Sequence, residues 1–114
     1  MKIIIAGGRD FNDYEFLKSC CDGVIGNRVV EIVSGRCRGA DQLGEKYAYQ
    51  RGFKISYFPA NWKEFGKVAG FIRNEEMAKY SNGLICFWDK KSKGTKNMID
   101  LAHKYELKVR IFEY

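Results

Sequence analysis

Lys2-Ile3-Ile4-Ile5-Ala6-Gly7-Gly8-Arg9-Asp10-Phe11 stands at the start of the chain. From Ile3 to Ala6 the run is apolar and largely β-branched, with no polar residue on either alternating face, and it stops at two glycines. A strand wetted on one side alternates polar with apolar residues, whereas a strand covered on both sides does not. Residues 2–6 therefore read as a central strand of a parallel sheet. Beyond the loop Gly7–Asn12, apolar residues recur at helical spacing (Phe16, Leu17, Cys20, Cys21, Val24, Ile25), and Gly26 closes the segment.

The same strand–loop–helix cycle repeats along the chain. Val29–Val33 reads as a strand, Ser34–Asp41 as a glycine-rich loop, and Gln42–Gln50 as a helix stopped at Gly52. Ile55–Phe58 makes a third strand ending at Pro59, and Ala60–Phe65 is a longer connection to a helix from about Val68 to Tyr80. A fourth strand, Leu84–Trp88, runs into the polar loop Asp89–Gly94. Thr95 then caps a helix that turns Met98, Ile99 and Ala102 inward, and Lys108–Phe112 closes the pattern as a final strand. Alternating strands and helices with short links predict an α/β fold. We expect a single Rossmann-like domain over 1–114, with a mostly parallel sheet of about five strands in the order 3-2-1-4-5 and helices on both faces.

The totals agree with one packed domain, at 114 residues and 46% hydrophobic content. The opening apolar run is too short for a signal peptide and no stretch reaches membrane-spanning length, so a soluble, cytoplasmic protein with no membrane partner is expected. Of the four cysteines, Cys20 and Cys21 are adjacent and Cys37 and Cys86 stand alone, so no Cys-x-x-Cys pair offers zinc or redox spacing. Four free thiols and no metal site are expected, with Cys20, Cys21 and Cys86 buried and Cys37 a bystander in a basic loop. The single histidine, His103, falls late in a helix and reads as a surface residue at the negative end of the helix dipole. There is no His-x-x-x-His, no Ser/His/Asp set and no Walker lysine, and Gly7-Gly8 fails the Gly-x-Gly-x-x-Gly dinucleotide fingerprint. No cofactor is expected.

A formal charge of +6 favours an anionic partner without choosing one. The loops choose better, because in an open α/β sheet ligands bind beyond the carboxyl ends of the strands, where strand order reverses. Gly7-Gly8-Arg9-Asp10-Phe11, Ser34-Gly35-Arg36-Cys37-Arg38-Gly39-Ala40-Asp41 and Lys90-Lys91-Ser92-Lys93-Gly94-Thr95 all fall on that edge. Glycine lets the backbone approach a ligand, and each following helix presents unpaired N–H groups to phosphate. Backbone anion contacts are expected at Gly7, Gly8, Gly35, Gly39 and Gly94, hydroxyl contacts from Ser34, Ser92 and Thr95, and direct phosphate pairing by Arg9. Asp10 and Asp41 read equally as ribose ligands and as helix caps. Arg73 and Asn74 lie in a helix patterned for packing, so their polar heads must reach solvent, a partner or the site. Among Phe11, Trp62 and Trp88, aromatic residues near the ligand edge, Trp88 is the favoured base stacker.

Taken in order, Gly-Gly-Arg-Asp-Phe, Ser-Gly-x-x-x-Gly-Ala-Asp, Phe-Pro-Ala-x-Trp, Arg-Asn-x-x-Met and Ser-x-Gly-Thr resemble the SLOG superfamily of Smf/DprA and LOG-like Rossmannoid proteins, with the YspA-like branch the nearest match. The resemblance runs from Ile3 to about Ala102. It implies a nucleotide-derived ligand, a nucleoside phosphate or an ADP-ribose-like signal, bound by a sensor or binding module. It also implies two alternatives. One is LOG-like phosphoribohydrolase activity on an N-glycosidic bond. The other, ranked last, is single-stranded nucleic-acid binding as in the Smf/DprA relatives, for which Arg36 and Arg38 supply charge. SLOG relatives commonly dimerise, which implies a homodimer as a candidate assembly. The LOG enzymes carry Pro-Gly-Gly-x-Gly-Thr-x-x-Glu, and aligned on Gly94-Thr95 this chain has Met98 in place of the catalytic glutamate. Arg73 matches the arginine of the LOG Arg-Lys-x-x-Met segment, with Asn74 replacing the lysine and Met77 retained.

Overall fold

A computed structural model describes residues 1–114. Five strands, β1 (Lys2–Gly7), β2 (Glu31–Ser34), β3 (Lys54–Tyr57), β4 (Gly83–Trp88) and β5 (Lys108–Glu113), form one all-parallel sheet in the order β3-β2-β1-β4-β5. The helices between them are α1 (Tyr14–Ile25), α2 (Ala40–Arg51), the single turn α3 (Trp62–Phe65), α4 (Ala69–Tyr80) and α5 (Lys93–Lys104). A 3-10 turn, Gly66–Val68, joins α3 to α4.

β1 is central because every one of its side chains has a helix to meet. Ile3 and Ile5 point to one face with Ile32, Ile85 and Phe87, against Leu17, Cys21 and Ile25 of α1 and Tyr47 and Ala48 of α2. Ile4 and Ala6 point to the other with Val33, Leu84 and Cys86, against Met77 and Ala78 of α4 and Met98, Ile99 and Ala102 of α5. Each fully buried side chain of this size contributes roughly 1.5–3 kcal/mol of burial free energy. The edge strands β3 and β5 carry Lys54, Lys108, Arg110 and Glu113 instead, charges that discourage pairing with another sheet.

Several boundaries shift from the sequence reading. The second strand begins at Glu31, because Val29 is 85% exposed in the turn before it. The connection Ala60–Phe65 holds α3, whose first turn is capped by Asn61 accepting from the Glu64 amide at 3.1 Å. The last helix starts at Lys93, and its cap is Ser92, whose Oγ accepts from the Thr95 amide at 3.3 Å. Thr95 is thus the capped residue rather than the cap. Asp13 performs the same service for α1, accepting from Phe16 at 3.1 Å. No helix is long and apolar enough to cross a membrane.

Crossovers through α1 and α2 cover one face, and those through α4 and α5 cover the other. Strand order consequently reverses between β1 and β4, where the two outgoing loops diverge and leave a crevice.

Candidate functional site

A cleft of about 510 Å³ opens at that reversal point. The β1–α1 turn lines it with Gly7, Gly8, Arg9 and Asp10, the β2–α2 loop with Cys37, Arg38 and Asp41, and the start of α5 with Ser92, Gly94 and Thr95. The β3–β4 crossover supplies the remaining wall through Trp62, Lys67, Gly70, Phe71, Arg73, Asn74 and Met77, while Met98 lies at the floor.

Ten of the residues expected at the site therefore line one cleft: Gly7, Gly8, Arg9, Asp10, Asp41, Arg73, Asn74, Ser92, Gly94 and Thr95. Six others do not. Phe11 is buried and stacks on Phe87 with ring centroids 5.0 Å apart, so it belongs to the core. Trp88, the expected base stacker, packs against the α4/α5 core and donates its indole N–H to the Ser92 carbonyl at 3.3 Å. Ser34 is buried, with its hydroxyl donated to Glu45 at 2.6 Å. Ala40 gives its amide to Gly8 O at 3.2 Å.

Gly35 and Gly39 make the loops fit one another. A Cβ on Gly39, whose φ is +81°, would lie 2.3 Å from Gly8 O and 2.6 Å from the Arg9 carbonyl carbon, so the β2–α2 loop can cross the β1–α1 turn only as glycine. A Cβ on Gly35 would lie 2.7 Å from Arg73 Nη1 and 2.9 Å from Asp41 Oδ2. The amide of Gly8 is likewise spent, on Phe87 O at 3.1 Å. Of the amide contacts expected from glycine, the one that stays open to the cleft is at Gly94, in the unpaired first turn of α5.

Arg73 and Asn74 are buried, at 7% and 6% exposure, and act as a brace. The Arg73 guanidinium donates to Gly35 O and, at 2.9 Å, to Asn74 Oδ1, and it contacts Cys37 Sγ at 3.6 Å. Asn74 in turn donates to Asn97 Oδ1 at 2.9 Å and to Gly94 O at 3.3 Å. One string of hydrogen bonds thus ties the β2–α2 loop, α4 and the start of α5 into a single cleft wall.

Charge at the rim is free to act. Arg9, Arg38 and Lys67 take part in none of the ion pairs, which engage Arg36, Arg51, Lys54, Lys90, Lys96 and Lys104. The two loop arginines are split by this: Arg36 turns away to Glu45 and lies over the Tyr57 ring, and Arg38 faces the cleft. The Arg9 guanidinium lies 5.9 Å from the Trp62 ring centroid, and Trp62, 48% exposed, stands over Gly70.

Asp41 is the one buried acid in the cleft, 5% exposed. Burial pushes its carboxyl up to about 6. The Arg73 charge and the Cys37 amide, which donates to Oδ2 at 3.2 Å, pull the other way, Glu45 raises it again and Arg9 lowers it. Asp10 accepts from the Tyr114 hydroxyl at 3.2 Å, and neither acid is an N-cap. Asp89 lies outside the cleft, where it accepts from the amides of Lys91 and Ser92 and shapes the turn before α5. Cys21 and Cys86 are buried, with thiols pushed up to about 12 by desolvation, Cys20 is half-buried, and Cys37 is the cleft's own cysteine. Lys67, Gly70 and Phe71 carried no sequence signal, since only the path of the crossover brings them to the cleft.

A doubly wound parallel sheet with a basic, glycine-edged cleft at its reversal point defines the class: a Rossmann-like α/β domain. Within that class the chain belongs to the YspA, cpYpsA-related SLOG family, whose profile matches residues 1–65. It is 33% identical over 79 residues to the Gene 61 protein of Mycobacterium phage D29, an alignment covering 64% of this chain and 63% of the phage protein. Its fold is similar to that of DNA processing protein A from Helicobacter pylori, a structure described for its single-stranded DNA binding mode. The TM-score is 0.72 at 19% identity, over 97% of this chain and 64% of that one. At that identity the likeness is one of fold, and the chain spans under two thirds of either relative.

Proposed function

We propose that the cleft binds a nucleotide-derived ligand, with phosphate held by Arg9, Arg38, Lys67 and the open first turn of α5. The observation that carries this reading is the convergence of three loops, distant in sequence, on one cleft whose rim bears three basic side chains that form no ion pair. Its volume falls within the range of small-molecule sites, about 300–1,000 Å³. The apolar surfaces of Trp62 and Phe71 offer a place for a base.

Isothermal titration of the chain against nucleoside mono-, di- and triphosphates and ADP-ribose tests it. Arg9→Ala should weaken binding about tenfold or more, the worth of a charge-assisted phosphate contact. Gly94→Val, which places bulk in open space at the start of α5, should weaken it similarly. No heat with any member of the panel would refute the reading.

A second reading is favoured by the fold neighbour and by the exposed aromatic side chains Trp62 and Phe71 in the basic cleft: the nucleotide unit belongs to a single nucleic-acid strand. A LOG-like hydrolase has less support. The position of the LOG glutamate is Met98, a buried apolar side chain at the cleft floor.

A further inference from the structure

The Asp41 carboxylate is costly where it stands. It is nine-tenths buried and takes part in no ion pair, and its one hydrogen bond within the chain is from the Cys37 amide to Oδ2. Ionised, a carboxylate offers about four acceptor sites, so most of its capacity, Oδ1 included, is unused by the protein. A capping role does not account for it, because the N-cap of α2 is Gly39. Arg73 lies close enough to favour the charge, but its guanidinium donates to Gly35 O, Asn74 Oδ1 and Cys37 Sγ and makes no hydrogen bond to Asp41, so it leaves the carboxylate's acceptor sites unfilled.

The groups that face Asp41 set what can lie against it. Arg73 of α4 and Arg9 of the β1–α1 turn are cationic, Glu45 lies one turn further along α2, and Cys86 of β4 is a neutral thiol below. A phosphate pressed against a buried carboxylate would be repelled, and phosphate has its own place at the rim. A neutral hydroxyl donor fits the remaining acceptor sites. In a nucleotide, the group that carries hydroxyls next to the phosphate is the sugar.

Resting on the nucleotide reading of the cleft, we propose that Asp41 accepts a ribose hydroxyl and so selects ribonucleotides over counterparts without free 2′- and 3′-hydroxyls. Phosphate lies toward Arg9, Arg38 and Lys67, and the sugar edge lies on α2. This assignment disfavours a DNA strand, whose internal sugars have no free hydroxyl.

The test is titration of the intact chain at pH 8, where Asp41 is ionised, with AMP, GMP, CMP and UMP and with the 2′,3′-dideoxy form of each one that binds. Loss of both hydroxyls should weaken binding about tenfold or more, as expected for a hydrogen bond to a charged acceptor. In Asp41→Asn the ribonucleotide should bind more weakly and the ratio between the two sugars should fall to about threefold or less. Equal affinity of the native chain for ribo and dideoxy forms overturns the sugar assignment and leaves the cleft reading intact. Absence of binding by all four ribonucleotides overturns the sugar assignment, and silence from the di- and triphosphates and ADP-ribose as well overturns the cleft reading. The comparison on the native chain needs no variant, so a folding defect in Asp41→Asn would not blunt it.

Discussion

Taking a carboxylate out of water with no cation paired to it costs free energy, and at Asp41 that cost has a pH signature. Its folded-state carboxyl is raised from 3.8 to about 6, so between those values the native chain holds a proton that the unfolded chain has released. Stability therefore falls as pH rises from about 4 to about 6 and stays reduced above that. A shift of about two units corresponds to roughly 3 kcal/mol. Asp41→Asn keeps an acceptor for the Cys37 amide and removes the charge. It should raise stability at pH 8 by about 1–3 kcal/mol and leave it nearly unchanged at pH 4, as read from urea midpoints at the two pH values. A stabilising substitution that also loses sugar discrimination would mark Asp41 as kept for binding at the expense of the fold. At this scale the sequence left two readings of Asp41 level, ribose ligand or cap. A carboxylate one residue from a helix start looks alike in either role until the cap is seen to be Gly39.

Loops and helix starts carry the cleft's shape. Gly39 sits where the β2–α2 loop crosses the β1–α1 turn, and no side chain has room there. Gly39→Ala combines the strain of a backbone conformation open almost only to glycine (φ +81°, ψ −130°), about 1–3 kcal/mol, with a contact that forces the loops apart. The expected loss is about 3 kcal/mol or more, with weakened ligand binding because Arg9 and Asp41 move off a common wall. Gly26→Ala is the control: it shares that backbone region (φ +60°, ψ −133°) but nothing lies near its Cβ, so only the backbone penalty of about 1–3 kcal/mol should appear, with no change in binding. Equal effects at the two glycines would show that loop crossing is not what Gly39 serves. Glycine-rich loops were legible in the sequence as marks of close approach, but what they approach was not. Gly39 faces the β1–α1 turn, Gly35 faces the side chains of Arg73 and Asp41, and Gly8 spends its amide on β4.

Over the whole molecule, the net charge of +6 and the unpaired rim cations set how an anionic strand would respond to salt. If the nucleotide unit belongs to a strand that neutralises Arg9, Arg38 and Lys67, log affinity should fall with log salt with a slope of about −2, near −0.7 per phosphate contact. A mononucleotide should show a shallower dependence. Gel shifts of a short oligonucleotide across a salt series would separate the two, and a strand affinity indifferent to salt would end the strand reading.

The sequence by itself determined the fold class, because a strand covered on both faces must be apolar at every position and its neighbours must repeat the strand–loop–helix cycle; the strand order followed only as the default winding of that class. It also determined which edge carries the cleft, since parallel strands send all their glycine-rich turns to one side. Tertiary structure alone decided which side chains face the cleft. Phe11 lies in the β1–α1 loop and Trp88 ends β4, and nothing local separates a ring turned to the core from one turned to a ligand. Lys67 and Phe71 sit in a crossover with no glycine-rich turn of its own, and they reach the cleft only because right-handed winding carries that segment back over the reversal between β1 and β4. Local patterns report how much of an element is buried, whereas the choice between two buried directions depends on chain segments tens of residues away.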